Sequence, residues 1–234
     1  MCSLILFLSF ECSTSFATSS TETTDTSPAS AKLLALAEQR FHELSSAERR
    51  LVNSATDGTD EDCAALADEE RVIRANLLTW LCIDPDVSKL ITSRGISISK
   101  AIIRGKLALE RASIWFPIQI VDSVFENSVD LEDTHLVFLS LSGTHVPDLS
   151  LAGSDVDHCL YLNNGFQSEG EADLVGVKIG GDLDCSGGRF LGEGDRGALS
   201  ANRADIKGSI LLDENFVANG EVDLDDASIG SSRV

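Results

Sequence analysis

The stretch Leu131-Glu-Asp-Thr-His-Leu136-Val-Phe-Leu-Ser-Leu141-Ser-Gly-Thr-His-Val146-Pro-Asp-Leu-Ser-Leu151-Ala-Gly-Ser-Asp-Val156 places an apolar residue at every fifth position. Six residues in phase at that spacing fit neither the 3.6-residue period of a helix nor the alternation of a strand. The residues two before them, Val129, Thr134, Leu139, Thr144, Leu149 and Ser154, are small or apolar as well. A chain that turns about 90° every five residues satisfies both series, because four such sides close one coil of about 20 residues. The central residue of each side then points inward, and the residue two before it joins it. Successive coils pair through the backbone about 4.8 Å apart. Leu131 then stacks on Leu151, and Leu136 on Val156. Such a chain is a solenoid, in which each coil buries its apolar residues mainly against its neighbours.

The same period begins near Gly95 with Ile98 and Ile103, then Leu109 and Ile114, then Ile120 and Phe125. From about Leu160 the coil lengthens. Phe166, Phe190 and Phe216 recur, as do Leu174, Leu199 and Leu224, and Ile179, Ile206 and Ile229. Gly170-Glu-Ala-Asp-Leu174 returns as Gly220-Glu-Val-Asp-Leu224, and Ile179-Gly-Gly-Asp-Leu183 is echoed by Ile206-Lys-Gly-Ser-Ile210. The glycines are expected at corners that need unusual backbone angles. Leu191–Gly197 reads as an exposed loop.

Upstream, residues 31–92 read as an α-helical cap. Leu33, Leu34, Ala37, Phe41 and Leu44 follow helical spacing, and Ser45-Ser-Ala-Glu48 is a capping box opening a second helix through about Asn53. Thr56–Asp62 reads as a polar linker. A third helix is expected from about Ala65 to Cys82, followed by a turn at Asp84-Pro85. Residues 1–30 read as a disordered leader, or as a signal segment around Leu4–Phe10. Residues 93–234 form the solenoid, which stops just after a repeat begins and reads as short or truncated.

These repeats resemble the pentapeptide-repeat proteins and, more closely, a bacterial group of uncharacterised long β-helical proteins. The resemblance rests on residues 170–190, on the renewed copy at 220–230, and on Trp80-Leu-Cys-Ile-Asp-Pro85 with Gly95-Ile-Ser-Ile-Ser-Lys-Ala101. It covers about 70–230. It implies a mainly β fold: a right-handed, four-sided β-helix solenoid of about six coils with a small N-terminal α-helical segment. Some members of that group carry a membrane-associated oxidoreductase label, but this sequence has neither a cofactor motif nor a spanning segment to match it.

The chain has 234 residues, with 18 Lys and Arg against 38 Asp and Glu, for a formal charge of −20, yet 43% of its residues are hydrophobic. That balance excludes a wholly disordered acidic chain, and it argues against direct nucleic-acid binding through a basic surface. No Lys or Arg occurs between Ala112 and Val177. The acids of that stretch supply a candidate interaction face of Asp122, Glu126, Asp130, Glu132, Asp133, Asp148, Asp155 and Asp157. Its plain reading is a solvated surface that maintains solubility, and its sharper reading is a surface that attracts a basic protein.

Candidate chemistry is sparse. Gly180-Gly181 and Gly187-Gly188 make no dinucleotide motif before a helix. His135 and His145 should stand on opposite sides of a coil, too far apart to share a metal. Asp155, Asp157 and His158 cluster locally, but neighbours on a coil side point in opposite directions. Cys2, Cys12, Cys63, Cys82, Cys159 and Cys185 show no metal-ligand spacing and read as small apolar residues. Trp80 and Trp115 are expected to bury where the helices meet the solenoid. No catalytic residue, cofactor or metal is expected.

The function expected is a non-enzymatic scaffold, with dimerisation through a solenoid end as a further expectation. One alternative is an acidic DNA-mimic inhibitor of an enzyme such as gyrase, as in the acidic pentapeptide-repeat inhibitors. A second is a carbohydrate-acting β-helix enzyme. A cytoplasmic location is favoured, with export through an N-terminal signal as the alternative.

Overall fold

The structure, a computed structural model, describes residues 27–192 and 197–230. The leader reading for residues 1–26 and the centre of the loop at 191–197 lie outside the described residues. Helix α1 (Pro28–Phe41) begins ahead of residue 31, because Ser27 accepts the Ser30 N–H at 3.1 Å and Pro28 suits the first turn. Helix α2 (Ser46–Asp57) opens with the reciprocal capping box of Ser45 and Glu48. It ends at Gly58, whose φ of 68° lets its N–H close on the Ser54 carbonyl.

The expected third helix is shorter than its pattern. Two short strands, β1 (Glu61–Asp62) and β2 (Val72–Arg74), precede α3 (Ala75–Ile83). Glu61 aligns with Ile98, and Ile73 with Ile103. The outer edge of the first full coil needs partners for its N–H and C=O groups, and β1 and β2 provide them. Val72 is thereby drawn from a helix into a strand. α3 packs where the next two sides would lie, over Leu107–Ala108 and Ser113–Ile114. The segment thus forms an incomplete coil that shares two sheets with the solenoid, so cap and solenoid are continuous across residue 92.

Six full coils follow, stacked as four parallel sheets. Face 1 carries Ile96–Ser99, Ile118–Val121, Leu139–Ser140, Leu160–Tyr161, Leu183–Asp184 and Ile210–Leu211. Face 2 carries Ile102–Arg104, Val124–Phe125, His145–Val146, Gln167–Ser168, Arg189–Phe190 and Val217–Ala218. Face 3 carries Leu107–Ala108, Val129–Asp130, Leu149–Ser150, Ala172–Asp173, Leu199–Ser200 and Val222–Asp223. Face 4 carries Ser113–Ile114, His135–Leu136, Asp155–Val156, Lys178–Ile179, Asp205–Ile206 and Ser228–Ile229.

The five-residue series forms the core. Leu131, Leu136, Leu141, Val146, Leu151 and Val156 are all buried, as are the six residues two before them. Leu136 pairs in register with Val156. The polar members of the second series are satisfied across coils. Thr134 Oγ1 donates to the Leu109 carbonyl at 2.6 Å, while the Thr134 N–H donates to Ser154 Oγ at 3.1 Å. Ser154 Oγ in turn donates to the Leu131 carbonyl. Ser123 and Thr144 repeat the arrangement at the opposite corner. The residue before each of these hydroxyls has positive φ: Asp122, Asp133, Gly143 and Gly153. Glycine therefore shares the tight corners with aspartate, whose short side chain tolerates the left-handed region.

Two longer repeats are out of register. Leu199 aligns with Ala172 and Val222 and not with Leu174. Phe190 aligns with Ser168 and Ala218, whereas Phe166 and Phe216 sit on the corner position that Gly188 holds in the coil between them. The rings still stack, with centroids 5.4 Å apart from Phe166 to Phe190 and from Phe190 to Phe216. Large and small residues alternate at both positions, so the rings interleave instead of colliding. Ile179, Ile206 and Ile229 do align, as the sequence predicts.

Candidate interaction surface

Stacked coils turn one position of the repeat into a row along the rod. On face 3 the outward row is Ala108, Asp130, Ser150, Asp173, Ser200 and Asp223, each in register with the next. The aspartates have a local duty. Asp130, Asp173 and Asp223 each accept the N–H two residues on, at 3.3, 3.0 and 2.8 Å. This is an Asx turn, which glutamate is too long to make in the same way. Asp184 does the same on face 1 with the Ser186 N–H at 2.9 Å. Part of the acidity is thus turn chemistry.

The eight candidate acids do not form one face. Asp122 occupies the corner between faces 1 and 2, Glu126 follows the face 2 strand, and Asp133 occupies the corner between faces 3 and 4. Asp155 and Asp157 belong to face 4. Asp130, Glu132 and Asp148 converge on face 3, where Glu171 and Asp173 join them around a shallow groove of about 310 Å³ that Ser128 and Ser150 also line. Ser150 Oγ donates to Glu132 Oε1 at 3.1 Å. Glu171 and Asp173 belong to this surface as fully as the residues picked from the sequence. Their distance from 130 and 148 equals one or two coil lengths, which is the signal that places them there.

The stretch without Lys or Arg is not a surface without them. The preceding coil supplies cations across the rung. Arg104 grips Glu126 through two N–H donors at 2.9 and 3.0 Å, Lys106 Nζ lies 2.6 Å from Asp130 Oδ2, and Arg111 Nε lies 3.8 Å from Asp133 Oδ2. The Arg104 guanidinium holds the Glu126 carboxyl below its usual range. Partial burial works against the charge on Asp130, but the Lys106 ammonium and the Glu132 N–H outweigh it and hold that carboxyl low too. Cations one coil back therefore offset the charge of Glu126, Asp130 and Asp133, the acids at the start of the stretch.

The histidines stand apart, His135 on face 4 and His145 on face 2. His135 Nε2 lies 3.1 Å from Asp157 Oδ1, and His145 Nε2 lies 3.0 Å from Glu169 Oε1, each across one rung. Among the described residues no three His, Cys, Asp or Glu are grouped to hold a metal ion. Cys63, Cys82 and Cys185 are buried thiols, while Cys159 is half-buried. Trp80 buries as expected, 6% exposed, with its Nε1–H donating to Asp84 Oδ2 at 3.1 Å. Trp115 does not: it is 74% exposed. α3 covers the strand before it and leaves the indole outside.

Among the described residues no helix is long and apolar enough to cross a membrane. No protein-family model, curated protein or solved structure matches the chain, so its geometry defines it: a four-sided β-solenoid of stacked parallel coils with a short N-terminal helical segment.

Proposed function

We propose that the protein is a non-enzymatic scaffold whose face 3 receives a partner segment rich in Lys and Arg. The observation that carries this reading is the convergence of Asp130, Glu132, Asp148, Glu171 and Asp173 around one shallow groove on a regular β wall. Like charges gathered on one face steer an oppositely charged partner, with a strength that falls as salt rises. A protein segment suits this face better than the role of a duplex mimic. The aspartates of the outward row stand two rungs, about 10 Å, apart. Duplex DNA carries a charge every 1.7 Å or so of its axis.

Titration calorimetry with decalysine tests the assignment. The variant D130N/E132Q/D148N/E171Q/D173N keeps the Asx-turn oxygens and removes the charge. Its affinity should fall about tenfold, a loss of about 1.4 kcal/mol, and the difference should shrink as salt rises. A control lacking the Asp122, Glu126, Asp155 and Glu169 charges should lose much less. Equal losses in the two variants would overturn the choice of face. Polysaccharide hydrolysis by the purified protein that the five-residue variant abolishes would overturn the non-enzymatic reading.

A further inference from the structure

Trp115 follows the strand Ser113–Ile114 at the end of face 4 and leaves 74% of its surface in water. An indole is the largest apolar side chain, and exposed tryptophans with fixed neighbours concentrate at binding surfaces. This one is fixed. Its ring centroid lies 5.6 Å from that of His135, with 47° between the planes, and His135 is tied to Asp157. Asp155 stands in register with His135 on the next rung, flanked on its far side by Lys178. Indole is the best aromatic partner for a cation, and the chain as a whole carries −20.

We infer that Trp115, held by His135 and Asp157, is the anchor for an arginine of the basic partner. The guanidinium stacks on the indole, and the Asp157 carboxylate accepts from its N–H donors. Arginine fits better than lysine because its cation is planar, weakly hydrated and able to stack. The inference rests on the basic-partner reading and adds to it a second face and a residue type. Faces 3 and 4 meet at the corner that includes Asp133 and Gly153, so one segment crossing that corner reaches both.

The chain has two tryptophans, so the indole N–H signals in a proton–nitrogen NMR spectrum report on the site directly. Tetra-arginine amide should move the Trp115 signal saturably and leave that of Trp80 in place, with W115F assigning the two. Tetralysine amide should bind more weakly. W115A should weaken tetra-arginine about two- to fivefold, the range of an exposed cation–π contact, and D157N should weaken it by a smaller factor. The five-residue face 3 variant should still show the Trp115 shift. Tetra-arginine binding that leaves the Trp115 signal still would overturn the anchor and leave the face 3 reading standing. A Trp115 shift with unchanged affinity in the face 3 variant would do the reverse. A shift caused by maltotriose and not by tetra-arginine would make the indole a sugar platform and overturn the inference.

Discussion

The ring of Phe190 fills the space that a side chain at Gly188 would need. A Cβ on Gly188 would meet Phe190 Cε2 at 2.9 Å and the carbonyl oxygens of Leu162 and Cys185 at 2.8 and 2.9 Å. The missing side chain of one residue and the bulk of the other are a single packing solution, stacked between the rings of Phe166 and Phe216.

Phe190→Ala should therefore cost about 3–5 kcal/mol in urea denaturation, the usual range for deleting a buried aromatic ring. Gly188→Ala should also destabilise, because two of its clashes are with backbone that no rotamer change can relieve. Ser168 aligns with Phe190 and has a buried hydroxyl without a hydrogen-bond partner. Ser168→Ala should leave stability unchanged or raise it by up to about 1 kcal/mol.

The corner hydroxyls give a second test. Ser154 Oγ both accepts the Thr134 N–H and donates to the Leu131 carbonyl. Ser154→Ala leaves the Thr134 N–H and the Leu131 carbonyl with only their 3.3 Å bond to each other, which should cost about 1 kcal/mol. Hydrogen exchange at the Thr134 amide should accelerate most.

Docking of the helices onto the solenoid depends on Glu48. Its side chain is almost fully buried and accepts from Arg74 N at 2.9 Å, Arg74 Nε at 2.7 Å, Arg74 Nη2 at 2.7 Å and Ser45 N at 3.0 Å. Burial pushes its carboxyl up, but the Arg74 and Ser45 donors together prevail and hold it below its ordinary value of 4.5. A depressed carboxyl stabilises the fold above its unfolded value, and that contribution is lost as pH falls through the folded one. Acid should thus loosen α2 from β2 progressively as pH falls below the ordinary value of 4.5. Glu48→Gln should cost about 2–4 kcal/mol at pH 7, tempered by the partial exposure of Arg74, and should flatten the acid limb of a Tm-against-pH curve.

Thiol chemistry should rank the cysteines. Burial pushes the Cys63 thiol up to about 11 and that of Cys82 to about 12, and raises Cys185 further still. In a C2S/C12S background, Ellman's reagent should label Cys159 first in the native protein. The other three should react only on unfolding, because the thiolate is the reactive species.

The sequence alone determined the solenoid. A five-residue apolar period has few other physical solutions, and the burial of all twelve residues of the two series between Val129 and Val156 follows from it. It also determined the α2 cap, since a capping box is closed by residues three apart. Three things waited for the tertiary structure. Strand β2 formed from a helical-looking stretch because the first coil's edge needed partners, a requirement set by residues some thirty positions away. The phenylalanine register depended on space left free at Gly188, which spacing along the chain does not encode. The charge of the surface was decided by stacking. Arg104, Lys106 and Arg111 lie outside the acidic stretch in sequence but one rung from it in space, so they neutralise its beginning at Glu126, Asp130 and Asp133.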